Sequence, residues 1–320
     1  MKYFGSFLLY CCFCSLSFAS DKAIIRLGVQ ATGTLAWELA VLESEKQLKN
    51  AEFQIEQHPI ASSEAGKIAL QSGAVDLIVS DWIWVSRMRS EGGDLTFYPY
   101  STTSGSLMVP GNSSIKALAD LKGKKLGIAG GPLDKNWLLL QALAKQEGFD
   151  LNASVEKVFG APPLINEQLK LGRIDAALNY WHFGAKLEAQ GYRQLIDGSD
   201  ILKGLGIQQS VPVLGYVFKQ SWADGHKAVL NAFFDATTKS KQLICTSESV
   251  WKKVLPLTET EDAGAQAKLR QRYCVGEVNQ WGETEQQAAG RIYGLLKQVS
   301  DNQLTGKSEH IQPGTFWSPK

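Results

Sequence analysis

The sequence lacks an excess of charge of either sign. Its 33 lysines and arginines are matched by 32 aspartates and glutamates in 320 residues, so the formal net charge is +1. Proteins that bind nucleic acid or anionic membrane surfaces carry clustered basic residues, and no such cluster occurs here. The composition therefore predicts neither kind of partner. A chain of about 300 residues usually divides into two lobes or domains.

The sequence also lacks the short motifs of nucleotide binding, hydrolysis and zinc binding. The stretch KKLGIAGGPLDKNW (124–137) has the order strand, glycine turn, helix, but its glycine spacing fits neither a dinucleotide fingerprint nor a Walker loop. No Gly-x-Ser-x-Gly elbow and no His-Glu-x-x-His motif is present. Only His58 and His182 fall near predicted strand ends. We therefore predict a binding protein, not an enzyme, with no catalytic residue, cofactor or metal.

Long apolar runs are confined to the N-terminus. Lys2 precedes an apolar run from Phe7 to Phe18, which ends in a small-x-small site with Ala19 at its last position. This pattern predicts a cleaved signal peptide over residues 1–19 and a periplasmic location. The run is too short to span a bilayer, which takes roughly 20 residues.

Cysteine is scarce, and three of the five cysteines lie in the predicted signal peptide. Cys245 and Cys274 remain in the mature chain. In an exported protein such a pair favours a disulfide, which would add roughly 3 kcal/mol of stability. Two buried free thiols are the alternative.

What the sequence does contain is an alternation of short strand patterns and longer helical patterns. Strands are predicted at 23–29, 52–58, 75–81, 124–130, 155–160 and 174–180, with helices at 34–50, 63–73, 132–148 and 163–172. This order predicts an α/β fold of mostly parallel sheets flanked by helices.

The pattern repeats at an offset of 99 residues. Gly28 corresponds to Gly127, Asp76 to Asp175, and Trp82 to Trp181, which predicts two similar lobes. Polar stretches at 97–114 and 206–222 are the expected crossings between them. We assign 20–106 and 213–320 to lobe 1 and 107–212 to lobe 2. The helical tail beyond residue 222 is expected to pack on lobe 1.

Aromatic residues collect where strands are followed by helices, the edge at which open α/β sheets bind ligands. Five tryptophans lie in or just after these junctions, namely Trp37, Trp82, Trp84, Trp137 and Trp181. Core packing is the favoured role for Trp37 and Trp84, whereas Trp82, Tyr180 and Trp181 are expected to face a cleft between the lobes. Asp81 could contact a ligand or cap a helix. Asp76 and Asp175 begin their strands and are interpreted as structural caps.

Two long segments, LKGKKLGIAGGPLDKNWLLLQALAKQEG and INEQLKLGRIDAALNYWHFGAKLEAQGY, resemble the periplasmic substrate-binding proteins of nitrate/sulfonate/taurine-type ABC importers. SSEAGKIALQSGAVDLIVSDW resembles the first-lobe helix and strand of that family. The resemblance covers about residues 23–235 and implies a type II two-lobe fold that closes on a small molecule and delivers it to a permease. The protein is expected to be a monomer.

The resemblance also implies ligand contacts from both lobes. They are Thr32, Gly33, Thr34, Asp81, Trp82, Thr103, Ser104, Gly130, Gly131, Tyr180 and Trp181. The junction pattern adds Trp137, and Asp134 is included because its carboxylate is placed at the start of the second-lobe helix.

The chain departs from oxyanion-binding members of the family at this helix start. Pro132 removes an N–H donor, and Asp134 places a carboxylate at the positive helix end. These features disfavour nitrate or a sulfonate and favour a flat heterocycle, an amine or a quaternary ammonium.

Two alternative functions remain open at this point. One is a periplasmic binding module that serves a sensor or a dehydrogenase system without transport. The other is an enzyme similar to the thiamine-pyrimidine synthases, whose cysteine-rich motif resembles Cys11-Cys12-Phe13-Cys14. That likeness is superficial, because these cysteines lie in the predicted signal peptide.

Overall fold

The computed structural model describes residues 22–30, 33–45 and 51–318, and the predicted signal peptide lies outside them. Within these residues ten strands form two sheets. The strands are β1 (Ala23–Gln30), β2 (Phe53–Ile60), β3 (Leu77–Ser80), β4 (Leu95–Ser101), β5 (Ser106–Val109), β6 (Lys125–Ala129), β7 (Glu156–Gly160), β8 (Ala176–Asn179), β9 (Arg193–Asp197) and β10 (Leu214–Lys219).

Helices flank both sheets. They are α1 (Leu35–Ser44), α2 (Ser63–Ser72), α3 (Trp82–Ser90), α4 (Lys135–Gln146), α5 (Leu151–Ser154), α6 (Pro162–Lys170), α7 (Trp181–Ala189), α8 (Gly198–Gly204), α9 (Gln220–Gly225), α10 (Lys227–Thr246), α11 (Glu248–Val254), α12 (Ala263–Val275) and α13 (Glu283–Val299). None of the helices in the described part of the chain is long and apolar enough to cross a membrane.

Each lobe is built on one five-stranded sheet, and the predicted α/β fold class is confirmed. The strand order is β2-β1-β3-β10-β4 in the first sheet and β7-β6-β8-β5-β9 in the second. Three strands of each sheet are parallel. The fourth strand in each order, β10 or β5, runs antiparallel to its neighbours. It is also the strand by which the chain enters that lobe from the other one.

The first crossing is shorter than the polar composition of 97–114 indicates. Only residues 102–105 lie between β4 and β5, and the flanking residues belong to the two sheets. Composition alone does not predict β4, because this strand contains Pro99. The sheet tolerates that proline because β4 is an edge strand. The second crossing runs through residues 205–213, between α8 and β10.

The 99-residue repeat is visible in equivalent hydrogen bonds at the strand starts. The Arg26 amide donates to Oδ2 of Asp76 at 2.9 Å, and the Asp76 amide donates back to the Arg26 carbonyl at 2.8 Å. Lys125 and Asp175 make the same two bonds at 2.7 and 2.9 Å. Each aspartate therefore fixes the start of the neighbouring strand, at the sheet edge away from the helix starts.

The C-terminal tail packs on both lobes, not on the first lobe alone as the sequence led us to expect. Helix α10 covers the first sheet, where Phe233 meets Phe53 with ring centroids 5.9 Å apart. Helix α12 packs against α7 of the second lobe, and α13 against α4. The tail therefore flanks the junction of the lobes on two sides.

Candidate functional site

Four helix starts face one another where the lobes meet. Each follows the carboxyl end of a parallel strand, so α1 and α3 belong to the first lobe and α4 and α7 to the second. Trp37 of α1 lies edge-on to Trp181 of α7 with ring centroids 6.4 Å apart. Lys135 of α4 reaches Asp81, the N-cap of α3, at 3.3 Å. Helix α1 thus faces α7, and α3 faces α4.

Two of these helix starts are capped by carboxylates of the chain itself. Oδ1 of Asp81 accepts the Trp84 amide at 3.0 Å, and Oδ1 of Asp134 accepts the Trp137 amide at 3.0 Å. Aspartate is a preferred N-cap because its oxygen satisfies a free N–H group and its charge complements the helix dipole. An external anion at either end would compete with a carboxylate that is already in place.

Lys135 is the cation that balances these two carboxylates. Burial raises the pKa of Asp81, but Lys135, the Trp84 amide and Lys67 outweigh burial, so that the pKa lies below its usual value. The pKa of Asp134 is raised, because burial outweighs Lys135 and the helix N–H donors. Burial lowers the pKa of Lys135, yet Asp81 and Asp134 raise it above its usual value. Lys135 thus stabilises the charged form of Asp81 more than that of Asp134.

A tyrosine and two glycines line the second-lobe side. Tyr180 is 38% exposed. Its partial burial, and then the charge of Asp134, raise the pKa of its hydroxyl group. Gly130 has φ of +89°, which only glycine adopts readily, and a Cβ there would lie 3.4 Å from the Tyr180 hydroxyl. A Cβ at Gly131 would meet nothing within 4 Å. The turn therefore leaves open space beside an exposed phenol ring.

Aromatic rings form the side of the site where α1 faces α7. Trp181 is half-buried, and its ring centroid lies 6.5 Å from that of Tyr273 on α12. Trp37 is buried between them, and its Nε1 donates to the Leu257 carbonyl at 3.1 Å. As expected, Trp37 belongs to the core, and Trp181 packs partly buried against it.

The remaining predicted contacts belong to the first crossing and to the residues before α1. Gly33 and Thr34 precede α1, whereas Thr32 lies outside the described residues. Thr103 and Ser104 are in the first crossing, where Oγ1 of Thr103 lies 2.6 Å from Oγ of Ser101. Of these residues, Ser104 lines a small cavity together with Lys135 of the second lobe.

Trp82 and Trp137 are placed differently from the expectation that their rings face a ligand. Trp82 is only 3% exposed, and its Nε1 donates to the Pro212 carbonyl at 3.0 Å. Trp137 is 2% exposed within the core that α4 shares with α13. Both rings pack against apolar neighbours in the core, although Trp82 also borders the small cavity between the lobes.

Sequence analysis missed two charged groups near the junction. Lys135 directly follows Asp134, and its position in the first turn of a helix could have signalled a partner across the cleft. Glu38 is fully buried on α1. Its only signal in the sequence is a lone acid within the apolar run LAWELAVL.

Two cavities adjoin the site. One of about 40 Å³ lies between the lobes and is lined by Trp82, Ser104 and Lys135 among others. It is too small for an organic ligand, and beside it the Lys135–Asp81 ion pair joins the two lobes. A second of about 400 Å³ is lined by Thr102, Gln209 and Glu277 among others. It borders both crossings but contains no residue of the four helix starts.

Helix α12 ties the first lobe to the second. A disulfide joins Cys274 near its end to Cys245 on α10. On the other side, Glu188 of α7 contacts Lys268 at 2.8 Å and Arg272 at 3.0 Å. Among the described residues, no cluster of three His, Cys, Asp or Glu side chains could hold a metal ion.

Two α/β lobes, joined by two crossings and facing each other through helix starts, define a two-lobe periplasmic-binding-protein fold of type II. A family model described as NMT1/THI5 like matches residues 51–247, and the chain belongs to that family. Together with the sulfonate-binding relatives described next, this match confirms the predicted resemblance to nitrate/sulfonate/taurine-type binding proteins.

The chain is similar to several proteins that are named as solute-binding proteins. A putative aliphatic sulfonates-binding protein of Escherichia coli (strain K12) is 28% identical over 186 residues, 57% of each chain. The match thus spans little more than half of that relative. The periplasmic aliphatic sulphonate binding protein SsuA from Escherichia coli superimposes with a TM-score of 0.74 at 19% identity, covering 93% of this chain and 92% of its own. A ligand-binding component of an ABC-type import system from Staphylococcus aureus gives 0.69 at 16% identity, covering 93% and 97%.

Proposed function

We propose that this protein is a periplasmic solute-binding protein that encloses a small organic molecule between its lobes and delivers it to the permease of an ABC importer. The family, the solute-binding relatives and the predicted signal peptide support this role. The molecule is released unchanged, so no catalytic residue is assigned, and a monomer suffices for the task.

The arrangement of charge at α3 and α4 carries the proposal for the ligand. Asp81 and Asp134 cap the two facing helices, and Lys135 pairs with the former at 3.3 Å. Lys135 therefore stabilises the charged form of Asp134 too weakly to offset burial, and the pKa of Asp134 is raised. A cationic ligand group beside Asp134 would complete the balance.

Aromatic surface supports the same class of ligand. Tyr180 and Trp181 follow β8 and are not fully buried, and the Tyr180 hydroxyl lies beside Gly130. A flat or cationic group can stack on such rings, with about 0.5–2 kcal/mol from each favourable contact. We propose Gly33, Thr34, Thr103 and Ser104 as the remaining contacts.

Binding requires the lobes to separate first. The cavity of about 40 Å³ between the closed lobes cannot admit a small organic molecule. We infer that residues 102–105 and 205–213 act as the hinge, since they alone connect the sheets through the backbone. Opening must break the Asp81–Lys135 ion pair, which re-forms or is replaced by ligand contacts on closure.

Native mass spectrometry of the protein purified from its own periplasm tests the proposal. We expect the wild type to retain a small molecule. The Asp134→Asn variant should bind that molecule about tenfold or more weakly. Asparagine keeps the helix cap and removes only the charge. Asp150→Asn is the matched control, because Asp150 caps α5 away from the junction with the same geometry.

Two results would contradict the proposal. If no small molecule is retained or bound at any concentration, the solute-binding role is wrong. If retention survives Asp134→Asn but is lost in Glu277→Gln, the molecule occupies the larger cavity at the crossings, and the proposed cleft site is wrong.

A further inference from the structure

The most unusual group outside the proposed contacts is the carboxylate of Glu38 on α1. It is completely buried. Its Oε1 accepts the Tyr273 hydroxyl at 2.6 Å and the Tyr100 hydroxyl at 2.7 Å, while Oε2 accepts the Tyr216 hydroxyl at 3.4 Å. The Lys241 ammonium lies 3.8 Å from Oε1. Buried acids are costly unless they are paired and hydrogen-bonded in this way.

The direction of the hydrogen bonds to Oε1 does not depend on the charge of Glu38. Burial raises the pKa of Glu38, and Lys241 with the three hydroxyls opposes that effect. An ionised carboxylate accepts at both oxygens. In a neutral carboxyl, the proton would lie on Oε2, since Oε1 already accepts two short hydrogen bonds. In both states the Tyr100 hydroxyl donates its proton to Oε1.

The orientation of the Tyr100 hydroxyl also determines the direction of its hydrogen bond with the loop before α1. Its hydroxyl oxygen lies 3.4 Å from Oγ1 of Thr34. Because the Tyr100 proton is committed to Glu38, only Thr34 can donate in this pair. Lys241 holds Tyr100 in position by donating to its carbonyl and by lying over its ring, 3.4 Å from the centroid.

Thr34 therefore has acceptor capacity left for another molecule. Threonine at an N-cap normally accepts an N–H group of the first helical turn. Here the Thr34 side chain makes no capping hydrogen bond, although Thr34 is the N-cap of α1. The lone pairs of its hydroxyl therefore accept no capping hydrogen bond, at a helix start that faces the second lobe.

We propose that Glu38, acting through Tyr100, fixes the Thr34 hydroxyl as a hydrogen-bond acceptor in the ligand site, so that the bound molecule must present an N–H or O–H donor there. This inference rests on the proposed solute-binding function and narrows its ligand. With Asp134 on the opposite lobe, the class that fits is a primary or secondary organic amine. A sulfonate or nitrate offers acceptors only, and a quaternary ammonium has no N–H group. Glu38 is a positioning residue, since it reaches the ligand only through Tyr100 and Thr34.

The test uses pairs of an amine and a sulfonate that carry the same organic group, which is methyl, n-butyl or benzyl. Each is titrated by calorimetry into the wild type, Tyr100→Phe and Tyr216→Phe. We expect the wild type to favour the amine of a pair, and Tyr100→Phe to reduce the amine-to-sulfonate ratio of affinities about tenfold. Tyr216→Phe is the control, because it removes a hydroxyl from Glu38 without touching Thr34, and its ratio should stay within twofold.

Substitution of Thr34 separates hydrogen bonding from packing. Thr34→Ser keeps the hydroxyl and should retain the preference for the amine, whereas Thr34→Val removes it and should lower the ratio as Tyr100→Phe does. Thermal unfolding of each variant shows whether a change in ratio merely follows a loss of stability.

A preference for the sulfonate in the wild type, or a ratio unchanged by Tyr100→Phe, overturns the inference and leaves the solute-binding function intact. If none of the probes binds but a native molecule is retained, N–H or O–H donors on that molecule support the inference, and acceptors alone overturn it. If nothing binds or is retained, the proposed function fails and the inference fails with it.

Discussion

The ammonium of Lys135 lies 3.3 Å from Oδ2 of Asp81, and this ion pair joins the first turn of α4 to the N-cap of α3 across the two lobes. Both side chains are largely shielded from water, with exposed fractions of 27% and 11%. A pair of this kind fixes the geometry of closure more than it adds net stability.

Lys135→Met should destabilise the closed arrangement, because it leaves the carboxylate of Asp81 buried without its cation. We expect the free energy of unfolding to fall by about 1–3 kcal/mol and the radius of gyration to rise. Urea unfolding and small-angle X-ray scattering measure the two effects. Lys203→Met is the control, because Lys203 forms an exposed pair with Asp200 within α8, which contributes little. Equal effects of both substitutions would contradict the assigned role.

Trp181→Phe should remove most of the change in tryptophan fluorescence that accompanies ligand binding. The Trp181 ring contacts Trp37 across the junction, so lobe motion alters its surroundings directly. Trp222→Phe provides the comparison, since Trp222 stacks on His226 in the first lobe, 4.6 Å between centroids. The measurement is a fluorescence titration with the molecule retained from the periplasm. A ligand response that depends on Trp222 instead would place the motion elsewhere.

Loss of the Cys245–Cys274 disulfide should lower stability and loosen the contact of α12 with the second lobe. The bond closes a sequence separation of 29 residues, for which about 3 kcal/mol is expected. Denaturant unfolding of the Cys245→Ser/Cys274→Ser variant measures the loss. A reductant should lower the stability of the wild type by a similar amount and leave the variant unchanged. A wild type that resists reductant yet depends on both cysteines would contradict this account.

His182 should make stability fall in acid. Burial, and then the charge of Lys186, lower its pKa from 6.5 to about 4. The unfolded chain therefore binds more protons than the folded protein between those values. The contribution of His182 is fully present above pH 6.5 and is lost as the pH falls towards 4, up to about 3 kcal/mol.

The measurement for His182 is the free energy of unfolding at several pH values in that window. His182→Phe should flatten the slope with pH, and His310→Gln, a change at an exposed residue of the tail, should not. A slope that is identical in all three proteins would show that other groups cause the acid sensitivity.

The layout of the fold could be predicted from the sequence because its determinants are local. Strand patterns, helix patterns and the 99-residue repeat predicted both lobes, and the equivalent bonds of Asp76 and Asp175 reflect that repeat. Strand β4 escaped prediction because Pro99 marks a loop by composition, and only its place at the sheet edge makes it acceptable. The packing of α12 and α13 on the second lobe depends on long-range contacts with no local signal.

The site was harder to predict than the fold, because the orientation of a side chain depends on neighbours distant in sequence. Trp82 and Trp181 occupy equivalent positions in the repeat, yet the first is buried near Pro212 and the second is only partly buried. Glu38 gathers hydroxyls from residues 62 to 235 positions away. No pattern within α1 indicates such partners.

Strand β10 has a consequence for the order in which the protein can form. It lies between β3 and β4 in the first sheet, so this sheet stays divided until residues 214–219 are available to pair. The second lobe, in contrast, is one continuous stretch of chain. The second sheet is therefore the part that can form first, and the first sheet is completed later. Pulse-labelling hydrogen exchange should then protect β6 and β8 before β1 and β3.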